Sequence, residues 1–218
     1  MPEKRRALSN AAELERRIPK AVIKRLSLYS RVLQNLEIAQ REKVSSRELA
    51  AQLGLNSAQV RKDLAHFGQF GVPGLGYYVA DLRRNIKGIL GTDRGVRLAL
   101  VGVGNLGSAL LSYGGFQRQG FQMIAAFDSD RRKVGSSRAG VAIHDVGDLS
   151  RVIRVERVDI AVLAVPVDHA QGVCDSLVDA GITAILNFVP AYLAVPDHVK
   201  VHYVDLSIEI ESLSYYLR

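Results

Sequence analysis

The chain has one cysteine, no tryptophan and no long apolar run. Cys174 is the single cysteine among 218 residues, so an intramolecular disulfide is impossible and one thiol cannot make a structural zinc site. No apolar run reaches the roughly 20 residues that a membrane span requires. The N-terminal residues are charged and lack the apolar segment of a secretory signal. We therefore expect a cytoplasmic protein with no membrane segment and no metal, in which Cys174 is an inert, packed thiol.

Charge is distributed unevenly along the sequence. Residues 1–94 hold 18 Lys and Arg against 9 Asp and Glu, whereas residues 95–218 hold 11 against 13. The first segment is thus strongly basic, and the field of such a segment attracts polyanions such as nucleic acid. A basic face that only contacts solvent is the alternative explanation of the charge alone.

The basic segment has the pattern of a helix-turn-helix. Apolar residues recur every three or four positions from Ile18 to Leu36, which predicts a buried helix stripe. Ser45 and Glu48 then have the spacing of a capping box at the start of a short second helix, which Gly54 ends. A third helix is predicted directly afterwards, and either Asn56 or Ser57 can cap it. Two short helices joined by a turn with glycine are typical of a DNA-binding helix-turn-helix.

The third helix is the candidate reader of DNA. In this motif the second helix of the pair enters the major groove, and its early outward residues meet base edges. The spacing predicts Gln59 and Lys62 on one outward face, with Ser57 and Arg61 beside them. Gln can pair with adenine, and Lys or Arg can pair with guanine or phosphate. A solvated helix face would carry similar residues, so this spacing favours DNA contact only in its helix-turn-helix context.

Glycine dominates the segment that follows. Four glycines stand within nine residues, from Gly68 to Gly76, and aromatic residues alternate with small ones around them. This pattern predicts a tight β-ribbon, the wing of a winged helix. A short helix over residues 81–90 and a linker over residues 91–95 are predicted next. The remaining predicted DNA contacts are Ser46, Arg47, Gly74, Gly76 and Tyr77.

A glycine signature in mid-sequence predicts a dinucleotide-binding fold. The aliphatic run 96–101 leads into Gly102, Gly104 and Gly107, and an amphipathic helix begins directly behind it. In such a loop the first glycine makes the turn, the second lets a pyrophosphate approach, and the third packs the helix on the strand. The N–H groups of the helix then hold the phosphates. The loop residues predicted to contact the cofactor are Gly102, Val103, Gly104, Asn105, Leu106 and Gly107.

An acidic residue stands at the distance that this signature requires. Asp128 ends the next predicted strand, 21 residues after Gly107, where a carboxylate bonds the ribose hydroxyls and favours NAD over NADP. The basic run 131–133 follows and could instead accept a 2′-phosphate. Further strands over residues 158–165 and 183–188 alternate with helices, which indicates a parallel, doubly wound sheet.

The cofactor is predicted to lie at the carboxyl ends of these strands. Val165, Pro166, Phe188 and Pro190 stand at such ends and could form an apolar wall, which would penalise the charged nicotinamide ring of NAD⁺ and favour NADH. Tyr113, which closes the first helix of this domain, either lies beside the cofactor or only packs.

The C-terminal segment predicts contact with a second chain. Leu206, Ile210, Leu213 and Leu217 form a seam that another chain could cover, and packing on its own domain is the alternative. Asp205, at the start of this predicted helix, is a candidate switch residue. We predict that it pairs with a first-domain arginine such as Arg31 in one of two functional states.

Together these motifs resemble the Rex family of bacterial redox-sensing transcriptional repressors. The resemblance implies an α/β protein with an N-terminal winged helix-turn-helix, a Rossmann-like doubly wound parallel sheet and an exchanged C-terminal helix. It also implies a homodimer that occupies palindromic operator DNA when NADH is scarce and leaves when NADH binds, and it places Tyr113 beside the cofactor. The wing departs from the family, because Val72 and Pro73 stand where basic residues are usual. The motifs that carry the resemblance are residues 59–64, 67–71, 74–77, 102–107, 127–130, 133–135 and 187–190.

The resemblance and the residue patterns give one domain organisation. We expect a basic arm over residues 1–17, a DNA-binding domain over 18–90, an NAD(H)-binding domain over 95–192, and a strand and exchange helix over 193–218. The arm could compensate for the uncharged wing. Its basic residues are Lys4, Arg5, Arg6, Arg16 and Arg17.

Two other functions compete with this interpretation. An NAD-dependent dehydrogenase with a DNA-binding module would need a catalytic group, and His144 and His169 are the candidates. Little of the sequence remains for a substrate domain, so a protein that is not an enzyme is favoured. A coenzyme A site is the second alternative, although Asp128 suits a free ribose diol better.

Overall fold

The computed structural model describes residues 18–217, so the basic arm predicted over residues 1–17 lies outside the described part. The chain divides into two compact units, with the boundary between Asp93 and Arg94. This boundary falls within the linker that the sequence predicts over residues 91–95.

The N-terminal unit is built from helices and one small antiparallel sheet. Its first three helices follow the predicted order, and the fourth begins two residues earlier than the predicted span 81–90. The two-stranded sheet pairs Lys43 with Tyr78 and Val44 with Tyr77. The helices are α1 (Lys20–Ile38), α2 (Ser46–Ala51), α3 (Ser57–Ala65) and α4 (Val79–Leu90), and the strands are β1 (Lys43–Val44) and β2 (Tyr77–Tyr78).

One apolar cluster holds this unit together. The predicted stripe of α1 is buried, with Leu26, Tyr29 and Leu33 completely inaccessible to solvent. These side chains share a core with Leu82 and Ile86 of α4 and with the inward residues of α2 and α3. The long first helix thus supports the two short helices, which are too short to be stable alone.

Helix caps confirm the predicted starts of α2 and α3. The Ser45 hydroxyl accepts the N–H of Glu48 at 3.1 Å, and the Glu48 carboxylate accepts the N–H of Ser45 at 2.8 Å. This hydrogen bond from the Ser45 backbone, supported by Arg41, lowers the pKa of Glu48 to about 2. Asn56 rather than Ser57 caps α3, because its side-chain oxygen accepts the N–H of Gln59 at 2.8 Å.

The predicted β-ribbon over residues 67–79 is corrected by the structure. Strand β2 pairs with β1, which precedes α2 and which the sequence did not predict. Within the glycine-rich segment itself, Val72 and Gly76 form an isolated bridge around a tight turn. Gly74 in this turn has φ +76°, a conformation that suits glycine. The partner of β2 lies more than 30 positions away, beyond the reach of a local hairpin pattern.

The C-terminal unit contains a seven-stranded sheet with the order β5-β6-β4-β3-β7-β8-β9. Neighbouring strands are parallel, except that the short β5 is antiparallel to β6. The order places β3 in the middle of the sheet, with the chain winding outward to both sides, as the alternating pattern predicts. The strands are β3 (Val96–Val101), β4 (Phe121–Asp128), β5 (Ser137–Arg138), β6 (Val141–Asp145), β7 (Ile160–Leu163), β8 (Ala184–Asn187) and β9 (Lys200–Tyr203).

Apolar clusters occupy both faces of this sheet. On one face Val101 and Phe127 pack with residues of α7 and α8, and on the other Leu100 packs with Leu111 of α5. Cys174 of α8 is completely buried in the first cluster, and burial raises the pKa of its thiol. The helices of this unit are α5 (Asn105–Leu111), α6 (Gly115–Arg118), α7 (Leu149–Glu156), α8 (Val167–Asp179) and α9 (Leu206–Ser214).

Helix α9 leaves its apolar side chains in solvent. Every residue from Leu206 to Leu217 is exposed in the single chain, including all four residues of the predicted seam. The alternative that this helix packs on its own domain is therefore wrong. Among residues 18–217, no helix combines the length and the apolar character needed to cross a membrane.

The capping box of α2 gives the first prediction. Replacing Ser45 with Ala removes the acceptor for the Glu48 N–H, and we expect the free energy of unfolding to fall by about 1 kcal/mol. Unfolding in denaturant measures this free energy. Ser27→Ala, at an exposed position in the middle of α1, is the matched control and should change stability by less than about 0.5 kcal/mol. Equal losses in both variants would contradict the role of the cap.

Candidate DNA-binding surface and dinucleotide site

The N-terminal unit presents basic side chains on its third helix. Arg61 and Lys62 are exposed on α3, and Arg47 is exposed on α2. The Arg61 guanidinium donates to the hydroxyl of Ser46 at 3.0 Å, which joins the start of α2 to the outer face of α3. Ser57, in the first turn of α3, is half-buried. Arg47, Arg61 and Lys62 are thus fully available to a polyanion, whereas Ser46 and Ser57 are only partly accessible.

Gln59 lies at the border of the outward face of α3 and not beside Lys62 on that face, so its predicted placement is corrected. Its side chain is half-buried, and its amide nitrogen donates to the carboxylate of Asp63 at 2.6 Å. The two residues are one helical turn apart, and Asp63 lies on the side of α3 that faces α1. The period of the helix places Gln59 at the border between the two faces. Its hydrogen bond to the buried Asp63 carboxylate turns its side chain away from Lys62.

Asp63 is the centre of a buried polar cluster that the sequence reasoning missed. Its side chain is completely buried and accepts from Nε and Nη2 of Arg25 at 2.5 and 2.8 Å. The Tyr29 hydroxyl adds a bond at 2.7 Å. Burial alone would raise the pKa of Asp63, but the hydrogen bonds from Arg25, Tyr29 and Gln59 outweigh burial and lower it. An acidic residue between the inward positions Val60 and Leu64 was the available signal.

The glycine-rich segment shares a cavity wall with this surface. Ser46, Arg61 and the loop 68–77 line one cavity of about 570 Å³. The predicted residues Gly74, Gly76 and Tyr77 belong to this loop. A Cβ on Gly76 would lie 2.5 Å from the carbonyl oxygen of Val44, so only glycine fits there. Tyr77 itself is buried. Val72 and Leu75, about half exposed, give the tip of the loop an apolar surface.

In the C-terminal unit a cavity of about 770 Å³ opens at the carboxyl ends of the parallel strands. Gly102 takes φ +96°, and a Cβ there would lie 2.3 Å from the carbonyl oxygen of Ala164. A Cβ on Gly107 would lie 1.9 Å from the carbonyl oxygen of Gly102, so α5 rests directly on the loop. Gly104 is exposed with open space in front of it. The three glycines thus have the separate structural roles that the sequence predicts.

The predicted loop residues divide between the cavity and the core. Gly102, Gly104, Asn105 and Leu106 line the cavity, whereas Val103 and Gly107 are buried behind it. Open space beside Gly104 and a carboxylate at the cavity wall fit a dinucleotide, whose phosphates need close backbone approach and whose ribose needs an acceptor.

Asp128 lies at the end of β4 and supplies that acceptor. One oxygen accepts the N–H of Val103 and the ammonium of Lys133, both at 2.9 Å, and the other accepts the N–H of Asp130 at 2.8 Å. Burial raises its pKa, but these hydrogen bonds outweigh burial and lower it. An ionised carboxylate has about four acceptor positions, so one remains for a hydroxyl.

Two residues of the basic run after Asp128 pair with different carboxylates. Lys133 pairs with Asp128 and lines the cavity, whereas Arg132 pairs with Asp130 at 2.8 Å. Lys133 offsets the charge that would repel a 2′-phosphate. The preference for NAD over NADP is therefore expected to be weaker than Asp128 alone implies.

The predicted apolar wall is only half correct. Val165 and Pro166 line the cavity, together with Val146 and Val173, but Phe188 and Pro190 do not. Phe188 packs against the core cluster of Leu100, and Pro190 is exposed. Asn187 explains the path of this segment, because its amide donates to the carbonyl oxygens of Val189 and Ala191.

Tyr113 lies outside this cavity in the single chain. It is 56% exposed, packs edge-on against Phe116 at 5.2 Å between ring centroids, and lines a separate cavity of about 340 Å³. Its contact with the cofactor stays a prediction. The sequence reasoning did not assign Asp168, Gly172, Val173 or Ser176 of α8 to the cavity. Their signal was the position of α8 directly after a strand's carboxyl end.

The remaining candidates occupy separate places. Arg31 is exposed on α1, and Asp205 caps α9 by accepting the N–H of Ser207 at 2.9 Å. The pairing of these two residues stays a prediction. His169 lines the dinucleotide cavity, whereas His144 packs against Phe127. Among residues 18–217, no group of three or more His, Cys, Asp and Glu side chains could hold a metal ion.

Family models match a segment in each of the two units. Residues 17–65 match the family model described as "Putative DNA-binding protein N-terminus", and residues 93–191 match the one described as "CoA binding domain". The redox-sensing transcriptional repressor Rex of Syntrophobacter fumaroxidans is 47% identical over 92% of this chain and 96% of its own length. Rex of an Exiguobacterium species is 42% identical over 94% of both chains.

Solved structures give the same result. The chain resembles RSP in complex with β-NAD⁺ and operator DNA, with a TM-score of 0.86 and 40% identity over 92% of each chain. It also resembles RSP in complex with β-NADH, with a TM-score of 0.82 and 38% identity over 92% of this chain and 94% of that one. The class that fold, site and comparisons define is a transcriptional repressor, not an enzyme. The chain belongs to the Rex family of redox-sensing transcriptional repressors, so the predicted resemblance and the α/β fold class are confirmed, while the exchange of the C-terminal helix stays a prediction.

The glycine loop gives the second prediction. Gly107→Ala forces a methyl group against the Gly102 carbonyl oxygen, and we expect it to lower the stability of the C-terminal unit by about 1–3 kcal/mol or more. Gly104→Ala meets open space, so the melting temperature should stay unchanged while the added methyl group obstructs the pyrophosphate and weakens NADH binding. Thermal unfolding and NADH fluorescence titration measure the two effects. Equal thermal destabilisation by both variants would show that the two glycines have no separate roles.

Proposed function

We propose that this chain represses transcription by binding operator DNA through its N-terminal unit, and that NADH bound in its C-terminal unit releases the DNA. The observation that carries the proposal is the presence of two sites in one chain. The exposed Arg61 and Lys62 of α3 suit a phosphate-rich duplex. The cavity formed by Gly102, Gly104 and Asp128 suits a dinucleotide. The similar RSP structures contain NAD⁺ with operator DNA, or NADH.

The distinction between NADH and NAD⁺ follows from charge. The oxidised nicotinamide ring carries a positive charge, which loses hydration when it enters an apolar site, whereas the reduced ring is neutral. Val146, Val165, Pro166 and Val173 make part of the cavity wall apolar. If NADH and DNA prefer different conformations of the protein, each ligand weakens the binding of the other by the same factor.

A homodimer is part of the proposal. The exposed apolar face of α9 includes Leu206, Ile210 and Leu213, and a second copy of the chain would bury it. Two copies would present two recognition helices to a palindromic operator, whose half-sites lie about one helical turn or a multiple apart. We also propose that the protein acts in the cytoplasm, where its DNA would be found.

The decisive experiment is a gel shift with the full-length protein. The duplex is a palindrome selected from a randomised pool, and binding is titrated with NADH and with NAD⁺ separately. We expect NADH to release the duplex at concentrations where NAD⁺ does not. Raising salt from 50 to 200 mM should weaken binding by about tenfold or more, since several phosphates are neutralised. Unchanged affinity with saturating NADH would refute the proposal.

Lys133 gives a further prediction about nucleotide choice. Lys133→Ala leaves the Asp128 carboxylate without its cationic partner, so repulsion of a 2′-phosphate increases. We expect the ratio of the NADPH to the NADH dissociation constant to rise by about three- to tenfold, a modest effect because the ion pair is partly exposed. Competition titrations against NADH fluorescence measure the ratio.

Arg151→Ala is the matched control for Lys133→Ala. It removes an equal charge from an exposed pair with Asp148 in the same unit. The ratio should stay unchanged in this variant. If both variants raise the ratio of the two dissociation constants equally, net charge rather than the Lys133–Asp128 pair governs the preference between NADH and NADPH.

A further inference from the structure

The buried cluster around Asp63 includes Gln59, a residue in the first turn of α3. Asp63 is completely buried, and four donors from three residues surround its carboxylate: two from Arg25 and one each from Tyr29 and Gln59. Arg25 and Tyr29 belong to α1, so the cluster joins α1 to α3. Asp63 and Tyr29 are completely buried, whereas Gln59 and Arg25 are half-buried.

The chemistry of this cluster determines which end of the Gln59 amide faces inward. An ionised carboxylate has acceptors and no donors, and the paired guanidinium of Arg25 keeps Asp63 ionised. The atom of Gln59 that lies 2.6 Å from the carboxylate is therefore the NH₂ nitrogen. The reversed amide would bring two oxygens together without a proton between them. The Gln59 carbonyl oxygen is thus held at the opposite end of the amide.

Asp63 cannot move to follow a turning amide. The Tyr29 hydroxyl, which donates to Asp63, belongs to a side chain that is completely buried in the core of the unit. The Arg25 guanidinium donates to both carboxylate oxygens of Asp63. An amide that rotates by 180° would lose its bond to Asp63 and find no donor there. The orientation of Gln59 is therefore set before DNA arrives.

We propose that Asp63 is a positioning residue that sets the base preference of Gln59. The inference rests on the proposed function, because it requires α3 to enter the major groove. Gln59 is the third residue after the cap Asn56, among the early positions that meet base edges in this motif. Its fixed carbonyl oxygen accepts from the exocyclic amino group of adenine or cytosine, whereas guanine and thymine present acceptors at the corresponding positions.

The test is a selection of duplexes by the full-length protein. A pool of palindromic duplexes with randomised half-sites is bound, recovered and sequenced. The position read by residue 59 is the one at which Gln59→Ala loses its preference. In the wild-type protein we expect adenine or cytosine there, favoured by about tenfold.

Asp63→Asn is the informative variant. An asparagine at position 63 offers both a donor and an acceptor, so the amide of Gln59 can turn, and the preference at that position should fall to within about twofold of random. Preferences at the other positions should remain, which a general loss of structure would not produce. If the preference persists in a folded Asp63→Asn protein, the inference is wrong.

Tyr29→Phe is the matched control. It removes one donor to Asp63 and leaves the bond from Gln59. Stability and overall affinity should fall, while the preference for adenine or cytosine stays. Loss of the preference in Tyr29→Phe would assign the effect to the packing of α3 and overturn the specific role of the Asp63–Gln59 bond.

Two variants of Gln59 keep the inference testable if Asp63→Asn does not fold. Gln59→Glu offers only acceptors and should retain adenine or cytosine, whereas Gln59→Lys offers only donors and should change the preference to guanine. Identical selections by these two variants would overturn the inference. If the wild-type protein selects no duplex at all, the proposed function itself fails, and the inference falls with it.

Discussion

A buried carboxylate must be matched by donors, and this constraint organises both units. Asp63 and Asp128 are the buried acidic residues within residues 18–217. Each lies in the element that carries the candidate function of its unit, α3 or the end of β4. An unpaired charge at the completely buried Asp63 would cost several kcal/mol, so its pair with Arg25 is essential, whereas Asp128 is satisfied by two backbone N–H groups together with the partly exposed Lys133. The same donors that satisfy the charge also fix the geometry of the neighbouring site.

The sequence predicts well what adjacent residues decide. The capping box of Ser45 and Glu48 closes within three residues, and the roles of Gly102 and Gly107 follow from one turn and one helix. Alternating apolar runs likewise predict the parallel sheet. In these cases the interacting residues lie only a few positions apart, so the sequence pattern predicts the structure without knowledge of the fold.

Prediction fails where the partner is distant along the chain. Gln59 turns toward α3's own Asp63 because Arg25, 38 positions before that carboxylate, holds it in place. Strand β2 pairs with β1, from which two helices separate it along the chain. Phe188 packs against the core and does not line the cavity. Each outcome depends on which surface the fold brings near, and hydrophobic periodicity carries no such information.

The burial of Cys174 determines how oxidising conditions can reach this protein. Its side chain is completely buried in the core of the C-terminal unit, and burial raises the pKa of its thiol. Peroxides and thiol-blocking reagents attack accessible thiolates, and the sequence provides no second cysteine. Oxidation of a cysteine thiol therefore has no accessible target among residues 18–217.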